Sequence, residues 1–129
     1  MRMTGKMSKE IVLNDLFVHQ LINQNKLIQM GAYDRWKSNE TATVPVDDVG
    51  LASYHVQQLM SEIGEVLDAD KRWKSHRNEQ YNKDDKLEEI ADCFIVLMNI
   101  AMYSGFDGRQ LTEAIDKKLD VVSQRIDNL

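Results

Sequence analysis

Residues 94–103 run FIVLMNIAMY, with Asn99 the one plainly polar side chain of the stretch. Wound as a helix, this stretch has no wet face, and a helix without one is buried on every side. A chain of 129 residues suits a single domain with a small core. Four helices from one such chain are too few to wrap the stretch completely, so a second subunit is expected to cover part of it. Ile95 and Met102, on the far side of the helix from Ile90, are the residues expected at that interface.

Apolar residues recur at helical spacing in four segments. The first covers about residues 9–30, with Ile11, Leu13, Leu16, Phe17, Leu21, Leu27 and Ile28 apolar and Gly31 as a stop. Residues 38–50 are rich in Thr, Asn and Asp, hold the only proline, Pro45, and read as a loop. The second helix, about residues 48–73, turns Val56, Leu59, Ile63, Val66 and Leu67 toward a core. After the polar segment 75–83, a third helix occupies about residues 84–103 and ends near Gly105. Asp107 can cap a fourth, about residues 108–126, whose core side is Leu111, Ile115, Leu119, Val122 and Ile126. Strand signals are nearly absent. The pattern predicts an all-α fold, an antiparallel four-helix bundle, with residues 1–129 as one domain assembled as a homo-oligomer.

Two acid pairs stand out. Glu62 and Glu65 on the second helix, and Glu89 and Asp92 on the third, are each spaced i, i+3, so each pair shares one side of its helix. At about 100° per residue, the first pair flanks the stripe centred on Ile63, and the second takes the matching flank of the stripe centred on Ile90. If these helices are antiparallel neighbours, the four acids converge. Converging carboxylates repel one another and resist loss of water, so they need a cation or must keep protons. All-oxygen donors suit magnesium, with manganese as a substitute, rather than zinc or copper. Magnesium shares its shell with phosphates, which points to phosphate chemistry. Acid pairs at this spacing are also common on solvated faces. Asp92, however, sits between Ala91 and Cys93, directly before the all-apolar stretch, where free surface is not expected.

The formal net charge of -5 shows no basic footprint for a nucleic-acid polymer. A bound metal can still invert the local field for a small anionic substrate. The single cysteine, Cys93, cannot form an internal disulfide, which suits an intracellular protein. The opening residues MRMTGKMSKE lack the apolar stretch of a signal peptide. The longest apolar run, 93–98, is far below the roughly 18 residues of a membrane span. A cytoplasmic protein without a membrane partner is expected.

SEIGEV at 61–66 followed by EEIAD at 88–92 resembles the EExxE…ExxD signature of the all-α nucleoside triphosphate pyrophosphohydrolases. That superfamily includes the MazG-like proteins, the dimeric dUTPases and the dCTP pyrophosphatases. Lys118 and Arg125 match a Lys and an Arg that the family also spaces seven residues apart, and the GFDG turn at 105–108 fits as well. The resemblance covers roughly residues 56–126, inside a motif-bearing part that begins near residue 48. Ser61 stands where the family has its first acid, and Val122 where it often has Asn. The resemblance implies magnesium-dependent hydrolysis of a nucleoside triphosphate, a deoxynucleotide or non-canonical nucleotide, to the monophosphate and pyrophosphate. It implies Glu62, Glu65, Glu89 and Asp92 as metal ligands and Lys118 and Arg125 on the phosphates. It also implies a homodimer or homotetramer, with active sites near the subunit interface. On a helix the two basic residues share one stripe, roughly 10 Å apart at 1.5 Å per residue.

Within that reading, Glu62 is the first candidate to take the proton of an attacking water, with Glu65 behind it. Asn99 and Tyr103 follow Asp92 at i+7 and i+11. They are candidates for a base edge or sugar, set against a core amide and a core aromatic. Trp73, expected on the flank of Glu62, can stack on a base or pack at an interface. His55, two turns before Glu62, reads as a polar neighbour rather than a ligand. Lys71, Arg72, Lys74 and Arg77 give the second helix a basic end that complements its C-terminus and can attract a triphosphate. A ferritin-like di-iron bundle needs Glu-x-x-His pairs, and none of His19, His55 or His76 follows a Glu by three. A non-catalytic helical module, sensing nucleotides or binding a partner, is the other rival; it would carry the same acids as a surface.

Overall fold

The structure is a computed structural model that describes residues 12–40, 43–74 and 80–129. Helix α1 spans Leu13–Gln29, α2 Val49–Ala69, α3 Lys83–Met102 and α4 Gly108–Asp127, with a 3-10 turn at Lys71–Trp73. Among the described residues the extended pairing is limited to one bridge between Asp47 and Ser104. No helix there is long and apolar enough to cross a membrane. Residues 9–11 of the first expected helix, and His76 and Arg77, lie outside the described residues.

The helix ends follow local chemistry. The Gly31 N–H donates to the Ile28 carbonyl and the Ala32 N–H to that of Leu27, both at 3.0 Å. Phe106 N–H donates in the same way to the Ala101 carbonyl at 3.0 Å. Gly31 and Gly105 hold φ of 77° and 88°, the left-handed conformation in which a Cβ is penalised and glycine is not. Asp48, Asn82 and Asp107 cap α2, α3 and α4, and Gln110 reciprocates Asp107 in a capping box.

One boundary differs from expectation. The second helix stops at Ala69, because Asp70 leaves helical geometry (φ -141°, ψ 103°) and caps the 3-10 turn through the Arg72 N–H. Trp73 is therefore on that turn, not on the flank of α2 that carries Glu62.

The buried apolar residues are Phe17, Ile28, Val44, Leu51, Met98, Met102 and Tyr103. They gather where α1, the loop before α2, the start of α2 and the end of α3 meet. The loop is laid over the end of α3 by backbone bonds from Val46 N–H to the Met102 carbonyl and from Asp48 N–H to the Tyr103 carbonyl, each 2.9 Å. This corrects the expectation for Met102. It is wholly buried inside its own chain, in a cluster to which the loop contributes Val44. The strongly exposed apolar side chains of α3 are instead Leu87 and Phe94, at 65% and 60%, while Ile95 is at 38%.

Helices α2 and α3 form the most extensively packed pair, α1 lies on α3, and α4 touches α1 and α3. A Cβ at Gly108 would collide with Asn14 and Phe17, so α4 starts hard against α1. Beyond its first turns α4 is almost wholly exposed. The stripes expected in the core of α2 and α4 are consequently open, with Val56, Ile63, Leu67, Ile115, Leu119, Val122 and Ile126 all exposed.

Candidate metal centre

Helices α2 and α3 are tied at both ends in antiparallel sense. Asp70, just past the end of α2, accepts from Lys86 near the start of α3, while Asp48 N–H, before α2, bonds the Tyr103 carbonyl at the end of α3. Between these ties the acids converge. Glu62 of α2 and Glu89 and Asp92 of α3 each offer an oxygen within 4.8 Å of the others. Glu65 is at the edge of this trio. Its carboxylate lies within hydrogen-bonding reach of Glu62, and its charge acts on Glu89. It also lines an open depression of about 350 Å³ with Asp68, Asp85, Glu88 and Glu89.

The electrostatics of the cluster follow from this crowding. The Glu62 carboxyl is raised from its ordinary 4.5 to about 7, first by its hydrogen bond with Glu65, then by burial, then by the charges of Glu65, Asp92 and Glu89. Burial, followed by the charges of Glu65 and Asp92, raises that of Glu89. One oxygen of Glu62 and one of Glu89 are buried with no hydrogen-bond partner. An acceptor left in that state costs roughly 1–3 kcal/mol, more when charged. Hard oxygen donors that converge and lack partners fit a divalent cation such as magnesium or manganese. Cys93 stands beside them, but burial and the same acids push its thiol upward, which makes it a poor nucleophile.

The remaining sequence candidates fall elsewhere. Asn99 is buried, and its side-chain oxygen accepts from Gln20 at 2.9 Å. Tyr103 is wholly buried and donates its hydroxyl to Gln24 at 2.7 Å. Both side chains are thus committed to the core. His55 is buried as well. Its Nδ1 donates to the Leu51 carbonyl at 2.9 Å, its ring stacks on Tyr103 at 4.9 Å, and burial lowers its pKa, so it is held neutral. Trp73 is half exposed and donates to the Leu67 carbonyl at 3.2 Å. Lys118 and Arg125 are exposed on α4. The charges that bear most on Glu62 and Glu89 are all acidic.

Two features were missed from sequence. Asp70 is buried and accepts from Arg72 and Lys86, and the Arg72 guanidinium lies 3.7 Å from the Tyr81 ring centre. Arg72 is thereby occupied rather than free for a triphosphate. The available signal was Lys86, a cation four residues into a helix, where the dipole disfavours one. The second feature is a cavity of about 340 Å³ between α1 and α3 that reaches Ala91, beside Asp92. Comparison of the chain with protein-family models, with curated proteins and with solved structures gave no match.

Proposed function

We propose that this chain is a magnesium-dependent nucleoside triphosphate pyrophosphohydrolase that converts a deoxynucleotide or non-canonical nucleotide to its monophosphate and pyrophosphate. One observation carries the reading. Three carboxylate oxygens from facing helices lie within 4.8 Å of one another, and two of the three side chains each keep a buried, unpartnered oxygen. Such a set is costly to hold charged without a cation, and its donors are those magnesium prefers. The resemblance at 61–66 and 88–92 selects pyrophosphohydrolysis among phosphate reactions.

Glu62, Glu89 and Asp92 would hold the ion, with Glu65 at the rim. Magnesium, when bound, sets positive charge against phosphate oxygens and makes a nearby water more acidic. Glu62, through a carboxylate oxygen not taken by the ion, would accept the proton of the attacking water. Glu65, within hydrogen-bonding reach, steadies that proton. The cavity between α1 and α3, lined by Phe94 on α3 and Asn23 on α1, would take the base.

The phosphate contacts assigned to Lys118 and Arg125 come from the α4 of a second subunit. The homo-oligomer, a dimer or tetramer, is supported by the open apolar stripes of α2 and α4. Those stripes also favour the rival reading, a non-catalytic module that binds another protein. A panel of triphosphates assayed with magnesium separates the two. The expected products are pyrophosphate and a monophosphate, with no diphosphate, and chelation should stop the reaction. No pyrophosphate from any triphosphate would leave the module.

A further inference from the structure

The α2–α3 pair is held unevenly. Its upper half is packed: Leu51 and His55 of α2 and Met98, Asn99 and Met102 of α3 are all buried. Its lower half carries the acids and has no fully buried apolar side chain on either helix. Ile63, Leu67 and Leu87 are all exposed there. Glu62, Glu65, Glu89 and Asp92 repel across this half, and Asp68, Asp85 and Glu88 add to the load from the adjoining depression. With Val66 and Ile90 only partly buried there, hydrophobic burial holds this half less firmly than the other.

What also opposes the repulsion is an ion-pair clasp beyond the acids. Lys86 Nζ donates to Asp70 Oδ2 at 2.8 Å, crossing from α3 to the end of α2. Arg72 closes the other side, with Nη2 to Oδ2 at 2.7 Å and Nε to Oδ1 at 2.8 Å. Asp70 is 7% exposed, while Lys86 is one-third and Arg72 about half exposed, so water screens these bonds only in part. Tyr81 lies under both cations, 3.7 Å from the Arg72 guanidinium and 5.5 Å from the Lys86 ammonium. Lys86 stands three residues before Glu89, so both project from one side of α3. The register fixed at Lys86 is therefore the register of Glu89 one turn later.

We propose that Asp70 and Lys86 are positioning residues, whose cross-helix ion pair holds Glu62, Glu65, Glu89 and Asp92 in cation-binding register against their mutual repulsion. This rests on the reading of those acids as a metal site. Neither residue is assigned a contact with metal or substrate. Their effect is on how much of the repulsion an incoming cation must overcome.

The test is manganese binding to the full chain, followed by calorimetry or by the loss of free-ion paramagnetic resonance. Lys86→Met and Asp70→Asn should weaken manganese about tenfold, the lower end of what loss of a supporting partner does at metal sites. Lys86→Arg, which keeps the charge, should stay within about twofold of wild type by the same standard. Asp107→Ala loosens α4 without touching the α2–α3 pair and should bind manganese as wild type does, so general destabilisation does not mimic the effect. Lys86 is one-third exposed, so Lys86→Met carries the test if Asp70→Asn fails to fold. Unchanged affinity in Lys86→Met, or no recovery in Lys86→Arg, overturns the clasp and leaves the metal site standing. A wild-type chain that binds no manganese overturns the metal site, and the clasp with it.

Discussion

A carboxyl that titrates near neutrality weakens a fold in which nothing neutralises it, and Glu62 is such a group. Below about 4.5 the folded and unfolded chains both hold this proton. From there to about 7 the unfolded chain releases it first, so stability falls as pH rises, and above about 7 the contribution is lost. Glu89 is shifted the same way and adds to the slope. Discounted for solvent screening, the Glu62 shift alone should cost the metal-free protein on the order of 1 kcal/mol between mildly acidic and mildly alkaline pH. Thermal melts in chelator across that range should show it, and Glu62→Gln should flatten it. A slope unchanged in that variant would place the titrating group elsewhere. Manganese should bind more tightly as pH rises through the same window, because the ion displaces the proton. For turnover, Glu62→Gln, Glu89→Gln and Asp92→Asn should each cost about 10²-fold or more with helix content kept. Two of the three retaining near-normal rates would mean the reacting centre lies elsewhere.

At the scale of elements, what could be read from sequence is what depends on neighbours in sequence. The positions of Gly31, Gly105 and Asp107 fix three helix ends through local bonds, and all three were expected there. Helix α2 starts near residue 48 as expected, though its Asp48 cap was not named. Glu62, Glu89 and Asp92 were recognisable because i, i+3 spacing and helical phase are local as well. Met102 was misread because it is buried in a cluster drawn from α1, α2 and a loop tied to the end of α3 by two backbone bonds, and such tertiary cover leaves no trace in a hydropathy pattern. Asn99 and Tyr103 have the right phase for the site but find Gln20 and Gln24 first, partners seventy-nine residues away. The partner of Asp70 was hidden for the same reason, with the first-turn place of Lys86 as the one local hint. Two variants test this account. Asp107→Ala removes one half of the capping box and should cost about 1 kcal/mol in urea unfolding. Met102→Glu buries a charge inside the chain and should leave no folded protein at all, rather than a folded and dissociated one.

On the scale of the whole molecule, the unsolved quantity is the apolar surface that one chain leaves open. Ile115, Leu119, Val122 and Ile126 follow one another three and four residues apart along α4, the spacing of a helix–helix seam, and all are exposed. Val56, Met60, Ile63 and Leu67 repeat the pattern on α2. Burying a fully exposed side chain of this kind contributes roughly 1.5–3 kcal/mol. These are about half exposed, so a seam of four on each of two copies contributes on the order of 10 kcal/mol, comparable with the cost of association. Lys118 and Arg125 immediately precede Leu119 and Ile126 and so lie along the rim of that seam. Pairing of copies through α4 would therefore do two things together, covering the stripe and carrying the bases to another subunit's acids. Leu119→Glu tests both. Leu119 is exposed in the single chain, so the substitution should leave the helices intact while shifting light scattering to the 14.9 kDa monomer. Pyrophosphate release should fall with the mass, and the loss should appear in KM, because the phosphate contacts depart and the carboxylates remain. A wild-type protein that is monomeric and fully active, or a Leu119→Glu monomer with unchanged KM, would show that each chain uses its own Lys118 and Arg125.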